Sequence, residues 1–404
     1  MKSIKWILNT IKEQENGECS CVISLQSTEK ARRFHQSFPD YKPTPLISLK
    51  SLARHLGIGT ISVKDESKRF GLNAFKVLGA TYAMGNYLAK RMRTSIDELP
   101  FSRMVSDETR QRIGNVLFYA ATDGNHGRAV AWTAQQLKQP AVIYMPKGSS
   151  QKRLQNILET GAKASITNLN YDDAVRFASQ EAEKHNGIII QDTAWSGYQE
   201  IPTHIMQGYA TLAAEAIEQM DAKPTHVFLQ AGVGSFAGAV QGYLYALYGD
   251  DAPKVVIMEA DAADCYYRSA VKGDGTIVPV TGDLLTLMAG LACGEPNPIA
   301  FELIKRYSTA FVSCPDWVSA YGMRILGNPL AGDSPIISGE SGAAGAGLLV
   351  SIMKQGDLAA LREKLELNAQ SRVLLISTEG DTDPEGYRDV VWRGKDQYSM
   401  QTKE

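Results

Sequence analysis

Short apolar runs alternate with stretches of helical periodicity along most of the chain. The runs that predict buried strands are residues 60–64, 116–120, 140–145, 164–167, 188–190, 225–229, 254–259 and 372–376. Between them, apolar residues recur at helical spacing over about ten to fifteen residues. Strands that alternate with helices in this way are joined by right-handed crossovers. The pattern therefore predicts an α/β protein with parallel sheets covered by helices on both faces.

Three stretches interrupt this pattern. Residues 20–56 carry three prolines between positions 39 and 45, which predicts an irregular arm. Residues 91–112 are polar and charged, which predicts an excursion over the surface. Residues 271–298 are rich in glycine and proline, and we expect loops near the mouth of a site there.

The length and net charge of the chain indicate how many domains it has and which kinds of partner it is unsuited to bind. The chain has 404 residues, more than one hydrophobic core usually supports, so two domains are expected. The net charge of -2 and the lack of a basic patch disfavour nucleic acid and anionic membranes. The apolar run in residues 1–10 is too short for a signal peptide, and no run is long enough to span a membrane. We therefore expect a small-molecule substrate.

Cysteine usage predicts reduced thiols and a cytoplasmic location. The chain has five cysteines, an odd number for a disulfide framework. Cys19 and Cys21 lack the second pair that a zinc site would need, so no metal site is predicted. Pairing between Cys265 and Cys293 stays open.

The loop after the strand at 225–229 is the strongest chemical signal. Its glycines, within residues 232–238, let backbone N–H groups approach an anion at the positive end of the next helix. The loop predicts a phosphate site, with a ligand-free tight turn as the alternative. It is not a P-loop, because Ser235 is followed by Phe236 instead of completing a Gly-Lys-Ser/Thr ending. A dinucleotide site stays open, because Glu259 ends the next strand.

Lys76 lies in the apolar, small-residue segment 73–80. An amine among Phe75, Val77 and Leu78 loses hydration, which predicts a lowered pKa and a nucleophile able to form a Schiff base. The helical spacing that follows places Lys76 at or near a helix N-terminus. The structural alternative is a lysine that buries its stem and extends its charge to solvent.

Two further polar turns follow predicted strands. Asp123, Asn125 and His126 lie between a strand and a helix, where a carboxylate either caps the helix or acts as an acid or base. Ser377 lies at the end of the last strand, and ligands gather at such strand ends in open sheets. A buried lysine, a phosphate loop and these polar groups together predict pyridoxal 5′-phosphate as cofactor.

These motifs resemble those of the fold type II, tryptophan synthase β-like, pyridoxal-phosphate enzymes. Residues 73–80 are similar to the family's lysine motif, and residues 122–127 are similar to its Ser-x-Gly-Asn-His turn. Residues 231–235 stand where the family has its tetraglycine phosphate loop, although Ala231 and Val233 replace two glycines. Residues 376–381 resemble the closing Leu-Ser-Gly turn. The four motifs follow one another in family order over most of the chain.

The resemblance implies a fold and a cofactor site. It implies two open, mostly parallel twisted sheets flanked by helices, with a smaller domain inserted into a larger one. We expect the large domain to comprise residues 1–90 and 194–404, and the small α/β domain to comprise residues 91–193. Family members are commonly homodimers, so a homodimer is expected. The residues implied to bind the cofactor are Lys76, Asn125, Ala231, Gly232, Val233, Gly234, Ser235, Ser377 and Thr378.

Within the family, the chain resembles the ammonia-lyases that convert 2,3-diaminopropionate to pyruvate and ammonia. The residues that carry this resemblance are Asp123 and the segments 191–195 and 377–384. It implies that Lys76 removes the Cα proton of the L isomer and that Asp123, on the opposite face of the cofactor, removes that of the D isomer. Asp192, and second Glu340, are candidates for binding the substrate's β-ammonium group. Asp123 is therefore both a catalytic and a substrate-binding candidate.

Two alternatives remain. A serine or threonine dehydratase, or a cysteine desulfhydrase, would use the same lysine with another leaving group. A nucleotide-binding module would use residues 232–238 and Glu259 and would need no lysine.

Overall fold

The computed structural model of the protein describes residues 2–11 and 22–397. Cys19 and Cys21 lie outside the described residues. The strands are β1 (Lys5–Leu8), β2 (Leu46–Ser48), β3 (Thr60–Asp65), β4 (Phe118–Ala121), β5 (Ala141–Met145), β6 (Lys163–Ile166), β7 (Ile188–Ile189), β8 (His226–Gln230), β9 (Lys254–Ala260), β10 (Ala310–Cys314) and β11 (Arg372–Ser377).

The helices connect and cover these strands. They are α1 (Leu25–Gln36), α2 (Lys50–Leu56), α3 (Val77–Met92), α4 (Phe101–Met104), α5 (Asp107–Ile113), α6 (Asn125–Gln136), α7 (Gln151–Leu158), α8 (Tyr171–Lys184), α9 (Glu200–Gln219), α10 (Ser235–Tyr248), α11 (Cys265–Lys272), α12 (Pro298–Tyr307), α13 (Asp316–Gly327), α14 (Glu340–Lys354), α15 (Ala359–Leu365) and α16 (Pro384–Val391). Within the described ranges, no helix combines the length and apolar character needed to cross a bilayer.

The strands form two sheets. The larger sheet has the order β1-β10-β9-β8-β11-β3-β2, and its five central strands are parallel. β1 and β2 pair antiparallel at its two edges. The smaller sheet, β6-β5-β4-β7, is entirely parallel. The predicted fold class, with two open and mostly parallel sheets flanked by helices, is confirmed.

Helices cover both faces of the larger sheet. Successive side chains of a strand point to opposite faces. In β8, Val227 and Leu229 belong to a core cluster shared with α3, α9 and α10, whereas Phe228 belongs to the cluster shared with α13 and α14. Burial on both faces explains why the strand at the centre of the sheet reads as a continuous apolar run.

The prediction of an irregular arm over residues 20–56 is wrong for its described part. This part contains α1, β2 and α2. α1 begins after Ser24, whose Oγ accepts a hydrogen bond from the N–H of Ser27 at 3.0 Å. The prolines are confined to residues 39–45, between α1 and β2, so they separate regular elements instead of excluding them.

Helix starts differ from the predicted ones around two small-residue turns. α6 already begins at Asn125, so the polar turn after β4 is shorter than residues 122–127. The small residues of segment 338–345 also predict a turn, but α14 begins at Glu340 within this segment. Small residues are compatible with the first turn of a closely packed helix, and the turn pattern did not distinguish the two states.

The smaller sheet is built from residues 118–189, within the segment 91–193 that was expected to form the inserted domain. The domain boundaries themselves stay a prediction. Residues 91–112, expected as a surface excursion, contain the short helix α4 and all but the last residue of α5. Met104 of α4 and Ile113 at the end of α5 are buried.

Candidate active site

A cavity lies where strands of both sheets end. β4, β8 and β11 each lead into a turn at their carboxyl ends, and Asp192 follows shortly after β7. The space between the cavity walls, including its open mouth, is about 670 Å³. Gly290, Leu291 and Cys293 of the glycine-rich stretch contribute to the wall, as expected for loops near a site mouth. The polar and small residues of the wall include Lys76, Asp123, Asn125, His126, Tyr171, Asp192, Gly232, Val233, Gly234, Ser235, Cys293, Thr378 and Glu379.

Lys76 lies directly before α3, at the predicted helix N-terminus. Its Nζ is 2.5 Å from Oδ2 of Asp192, and it lies 5.6 Å and 5.8 Å from the ring centroids of Phe75 and Tyr209. Burial disfavours the ammonium form, but the carboxylate of Asp192 outweighs burial and raises the pKa of Lys76 above its ordinary value. The predicted lowering of this pKa is wrong, because the apolar neighbours in sequence do not reveal Asp192.

Asp192 is a buried carboxylate with several partners. Besides the ion pair with Lys76, its Oδ1 accepts a hydrogen bond from the hydroxyl of Tyr171 at 3.2 Å. Burial alone would raise the pKa of Asp192, but Lys76 and His126 lower it below its usual range. The carboxylate is therefore ionised beside the lysine amine. Its expected contact with the substrate's β-ammonium group stays a prediction.

The loop after β8 approaches its neighbours closely. Gly234 has φ +91°, and a Cβ atom on it would lie 1.9 Å from the Tyr266 hydroxyl. A Cβ on Gly232 would lie 2.9 Å from the carbonyl oxygen of Gly290. Positions 232 and 234 therefore require glycine for the loop to keep this conformation. α10 begins directly after the loop. The first N–H groups of a helix have no partners within the helix, which makes this a site for an anion.

Ser235 opens α10 and joins the loop to the lysine side of the cavity. Its hydroxyl donates to the backbone carbonyl of Asp192 and accepts from Nδ2 of Asn297 at 2.7 Å. The carbonyl of Val233 accepts from the Tyr266 hydroxyl at 2.9 Å. Ala231 differs from the other predicted phosphate-loop residues: its N–H remains in the sheet ladder, 2.8 Å from the Met258 carbonyl, and its side chain is buried.

Asp123 lies in the turn between β4 and α6. Its Oδ2 is buried and has no hydrogen-bond partner among the described residues. The Nη1 atom of Arg153 lies 3.8 Å from this oxygen. Arg153 also forms an ion pair with Glu340, so the second residue proposed for the β-ammonium group is already engaged by a cation. Arg153 itself was not indicated by the sequence, where it is one polar residue of an ordinary amphipathic helix.

Asn125 and Glu379 form a second polar contact in the wall. Nδ2 of Asn125 donates to Oε2 of Glu379, and the Ser341 N–H donates to Oε1 at 3.1 Å. Burial and the neighbouring Glu340 raise the pKa of Glu379 to about 7, although Arg153 opposes them. The sequence did not identify Glu379 as a partner of Asn125 in the cavity wall. Its position in the closing polar turn is the only signal that pointed to it.

Ser377 and Thr378 differ in position, although both were expected to contact the cofactor. Ser377 is fully buried, and its Oγ donates to Oγ of Ser338 at 2.7 Å, away from the cavity wall. Thr378 is part of the wall. Neighbouring side chains at the end of a strand point in opposite directions, so only one of the two hydroxyls faces the cavity.

Comparison with known proteins identifies the family. Residues 38–379 match the family described as pyridoxal-phosphate dependent enzyme. The chain belongs to this family. It is 54% identical to the diaminopropionate ammonia-lyase of Escherichia coli strain K12 over 94% of this chain and 95% of that protein. It is 49% identical to the diaminopropionate ammonia-lyase of Salmonella typhimurium over 97% of this chain and 98% of that protein.

A solved structure agrees with these relatives. The crystal structure of the Escherichia coli diaminopropionate ammonia lyase in complex with D-serine matches with a TM-score of 0.91 and 51% identity. The match covers 98% of each chain. The pyridoxal-phosphate fold predicted from the sequence is thus confirmed over nearly the whole length.

The cavity meets the chemical needs of the family's cofactor. Pyridoxal phosphate requires an amine for its aldehyde, N–H donors for its phosphate and polar groups for its ring. Lys76, the loop around Gly232 and Gly234, and the side chains of Asn125 and Thr378 all face one cavity. A side chain on Gly234 would overlap Tyr266 and displace the loop from its position at the cavity. The predicted cofactor is confirmed by the family.

Two other sequence candidates, His126 and Glu259, form structural contacts in this pyridoxal-phosphate enzyme. Nε2 of His126 lies 2.7 Å from the Ile190 carbonyl, and burial lowers the pKa of the ring. Glu259, the acid that a dinucleotide site would need, is buried and accepts from the N–H groups of Tyr266 and Tyr267 at the start of α11. It is not part of the cavity wall. The nucleotide-binding alternative is therefore not supported, because the acidic residue that it requires does not face the cavity.

The cysteines near the cavity are free thiols. Cys265 and Cys293 are both buried, and Sγ of Cys265 lies 4.0 Å from the carbonyl oxygen of Cys293. Within residues 2–11 and 22–397, no three His, Cys, Asp or Glu side chains are grouped so that they could hold a metal ion.

Proposed function

We propose that this chain is a pyridoxal-phosphate-dependent ammonia-lyase that acts on the D and L isomers of 2,3-diaminopropionate. The overall reaction consumes one water and releases pyruvate and two molecules of ammonia. The observation that carries the proposal is a set of acidic side chains in the cavity that Lys76 lines, namely Asp123, Asp192 and Glu379, with Asp192 in direct contact with the Lys76 amine. Such a wall suits a substrate with a second, cationic amino group. The near full-length similarity to two diaminopropionate ammonia-lyases supports it.

Different residues of the cavity would bind different parts of the cofactor. Lys76 would bind its aldehyde, and the N–H groups at the start of α10 would bind its phosphate. Asn125 and Thr378 would contact the ring. When bound, pyridoxal phosphate withdraws electrons from the substrate's α-carbon, which makes the α-proton acidic and helps the β-substituent to leave.

Two residues are suited to accept the α-proton. Lys76 would serve the L isomer once its amine is released from the cofactor, and Asp123 would serve the D isomer from the opposite face. Support for Asp123 comes from its buried Oδ2, which has no hydrogen-bond partner in the described part of the chain and is therefore free to accept a proton. Its ion-pair partner at 3.8 Å is too distant for a direct hydrogen bond.

Asp192 would act on the other charged group. Its carboxylate lies beside Lys76 and is kept ionised by it. We propose that it attracts the substrate's β-ammonium group and keeps Lys76 within reach of the α-carbon. Glu340, the second residue that the sequence offered for this contact, already has its carboxylate paired with Arg153.

The two-base assignment is tested with Asp123→Asn. We expect kcat/KM for the D isomer to fall by about a hundredfold or more, because a positioned acid or base contributes at least that much. The value for the L isomer should change far less. Equal losses for both isomers would exclude the assignment. Lys76→Ala should abolish the visible absorbance band of the bound cofactor, and an unchanged band would remove Lys76 from its role.

Serine is a second candidate substrate. The Escherichia coli relative is described in complex with D-serine, which carries a neutral β-hydroxyl in place of the β-ammonium group. The hydroxyl must gain a proton to leave as water, whereas the ammonium group leaves as ammonia. Steady-state rates of 2-oxo acid formation, pyruvate from diaminopropionate or serine and 2-oxobutyrate from threonine, separate an ammonia-lyase from a dehydratase of the same family. A kcat/KM for serine above that for diaminopropionate would overturn the proposal.

We also propose that the enzyme acts in the cytoplasm as a homodimer. Support comes from the cysteine usage and from the resemblance to a family that is commonly dimeric. Light scattering on the purified protein measures the mass directly, and a mass of one chain at micromolar concentration would exclude the dimer.

A further inference from the structure

A buried arginine joins the smaller sheet's helices to the cavity. Arg153 lies in the first turn of α7, and only 4% of its side chain is exposed. Its guanidinium group reaches Asp123, Glu340 and Thr382, with its Nη2 3.2 Å from the hydroxyl oxygen of Thr382. These three partners come from different parts of the chain, so Arg153 ties α7 to the turn after β4, to α14 and to the segment after β11.

The charge of Arg153 is held by carboxylates. A guanidinium without partners would be costly in this interior. Burial lowers the pKa of Arg153, but Glu340, Glu379 and Asp123 raise it above its ordinary value. The group therefore stays charged at any working pH. The ion pair with Glu340 fixes Nη2 of the planar guanidinium group, and Nη1 of the same group is directed at Asp123.

The contact with Asp123 is attractive but does not occupy its oxygen. The separation of 3.8 Å between Nη1 and Oδ2 is an ion-pair distance and exceeds a hydrogen bond. The lone pairs of Oδ2 therefore remain available for a proton. Arg153 also supports the backbone of the same turn, because a Cβ atom on Gly124 would lie 2.8 Å from Cδ of Arg153. The arginine thus contacts both the carboxylate and the turn that carries it.

We propose that Arg153 is the positioning residue for Asp123 and that Glu340 acts on the reaction by fixing Arg153 and not by contacting the substrate. This inference rests on the proposed function, in which Asp123 accepts the proton of the D isomer. It assigns selectivity between isomers to a side chain outside the cavity wall. A purely structural Arg153 would affect both isomers alike, whereas a positioning residue affects the isomer that depends on Asp123.

The test compares the holoenzyme variants R153Q and R153K with wild type on both isomers. We expect R153Q to lower kcat for the D isomer at least about tenfold, because a small misplacement of a reacting group has effects of that size. For the L isomer, kcat should stay within about threefold. R153K keeps a charge beside Glu340 and Asp123, so it should fold and recover part of the D activity. R110Q, at an exposed arginine of α5, is the control and should match wild type.

E340Q tests the second half of the inference. If Glu340 fixes Arg153, E340Q lowers kcat for the D isomer selectively and leaves KM for both isomers near the wild-type value. A rise in KM for both isomers with unchanged kcat would mean that Glu340 binds substrate, and would overturn this part. The visible absorbance band of the cofactor, measured in each variant, separates lost cofactor from lost positioning.

Failure of the inference and failure of the proposed function give different results. One result would refute the positioning role of Arg153 and leave the two-base function standing. In that result, D123N lowers kcat for the D isomer selectively, but R153Q and R153K lower kcat for both isomers equally. If wild type does not release pyruvate from diaminopropionate, the proposed function itself fails. If R153Q does not fold, R153K alone decides: full D activity or an equal loss for both isomers refutes the inference, and a partial, D-selective loss supports it.

Discussion

At the scale of the residue, Gly234 determines whether the phosphate loop can adopt its backbone conformation. Its φ of +91° is a backbone conformation that residues with side chains rarely adopt. A Cβ atom there would overlap the hydroxyl of Tyr266, which donates to the carbonyl of Val233 within the same loop. A side chain at this position would therefore disturb the backbone and the contact that supports it.

We expect Gly234→Ala to weaken pyridoxal phosphate binding at least about tenfold, which corresponds to about 1.4 kcal/mol. Titration of the cofactor followed by its absorbance gives the dissociation constant. Gly249→Ala is the matched control, because Gly249 ends the same helix at φ +55° and a Cβ atom there has nothing within 4 Å. The control adds backbone strain of about 1–3 kcal/mol but lies at the end of α10 opposite the phosphate loop. Equal dissociation constants for the two variants would contradict the role of Gly234.

The sequence predicted which turns meet but not which atoms face the cavity. Lys76, Asn125 and the glycine loop were located from motif and strand-end position, and all of them line one cavity. The ion pair of Lys76 with Asp192 could not be predicted, because it depends on how the segment after β7 meets the residue before α3. The same holds for Ser377, whose hydroxyl faces Ser338 while that of Thr378 reaches the wall. A shift of one residue at a strand end reverses the direction of a side chain.

At the scale of the element, Glu259 connects the end of β9 to the start of α11. The carboxylate accepts hydrogen bonds from the N–H groups of Tyr266 at 2.8 Å and Tyr267 at 2.7 Å. It thereby caps helix N–H groups that have no partner within the helix. Burial raises the pKa of Glu259 to about 8, although these hydrogen bonds oppose the rise. The folded protein therefore carries a proton on Glu259 at a pH where the unfolded chain does not.

This raised pKa predicts a fall of stability with increasing pH. The contribution is fully present below the unfolded value near 4.5 and is lost as the pH rises through about 8. Glu259→Gln cannot ionise, so its free energy of unfolding should depend less on pH over this window. We expect the variant to be about 1 kcal/mol less stable than wild type at pH 5, because one amide group faces an N–H donor. The difference should shrink or reverse by pH 9.

Denaturant unfolding at pH 5, 7 and 9 measures this dependence. Glu302→Gln, at an exposed glutamate of α12, is the control and should follow wild type at each pH. A Glu259→Gln variant whose stability difference from wild type is constant across the three values would refute the raised pKa as the cause.

Element prediction succeeded where periodicity is strong and failed where long-range pairing decides. Most runs at the centres of both sheets were predicted as strands, because burial on both faces leaves them continuously apolar. β10 was missed, although it is fully buried between β1 and β9. β1 was missed, since four residues next to the chain start form a strand only by pairing with β10. α1 was missed because nearby prolines outweighed a serine cap that the sequence does contain.

At the scale of the whole molecule, a buried network of charges connects three distant parts of the chain. Glu215 of α9 accepts hydrogen bonds from Nη1 and Nη2 of Arg69 at 2.9 Å and 2.7 Å, and it lies 2.8 Å from Nζ of Lys64. It also accepts from the N–H of Thr44 at 3.2 Å. Glu66 balances the second positive charge through Arg69. The network anchors the chain between β3 and Lys76 to the helix behind it.

Removing one partner of this network should destabilise the entire fold. Glu215→Gln leaves Lys64 and Arg69 buried with one carboxylate fewer, and breaking a buried pair in this way costs about 3 kcal/mol or more. Glu218→Gln is a matched control one turn further along α9, where the side chain is 54% exposed and paired with Arg32. An exposed pair contributes at most about 1 kcal/mol, so the control should differ little from wild type. Denaturant unfolding at pH 7 gives both values.

The pH dependence separates the charge of Glu215 from its packing. Burial alone would raise the pKa of Glu215, but Arg69 and Lys64 lower it below its usual value. A lowered pKa contributes stability that is present above the unfolded value near 4.5 and is lost as the pH falls below it. Wild type should therefore lose stability between pH 5 and pH 3 more steeply than Glu215→Gln. Parallel curves for the two proteins would mean that the glutamine restores every interaction of the carboxylate, and the network would then not depend on charge.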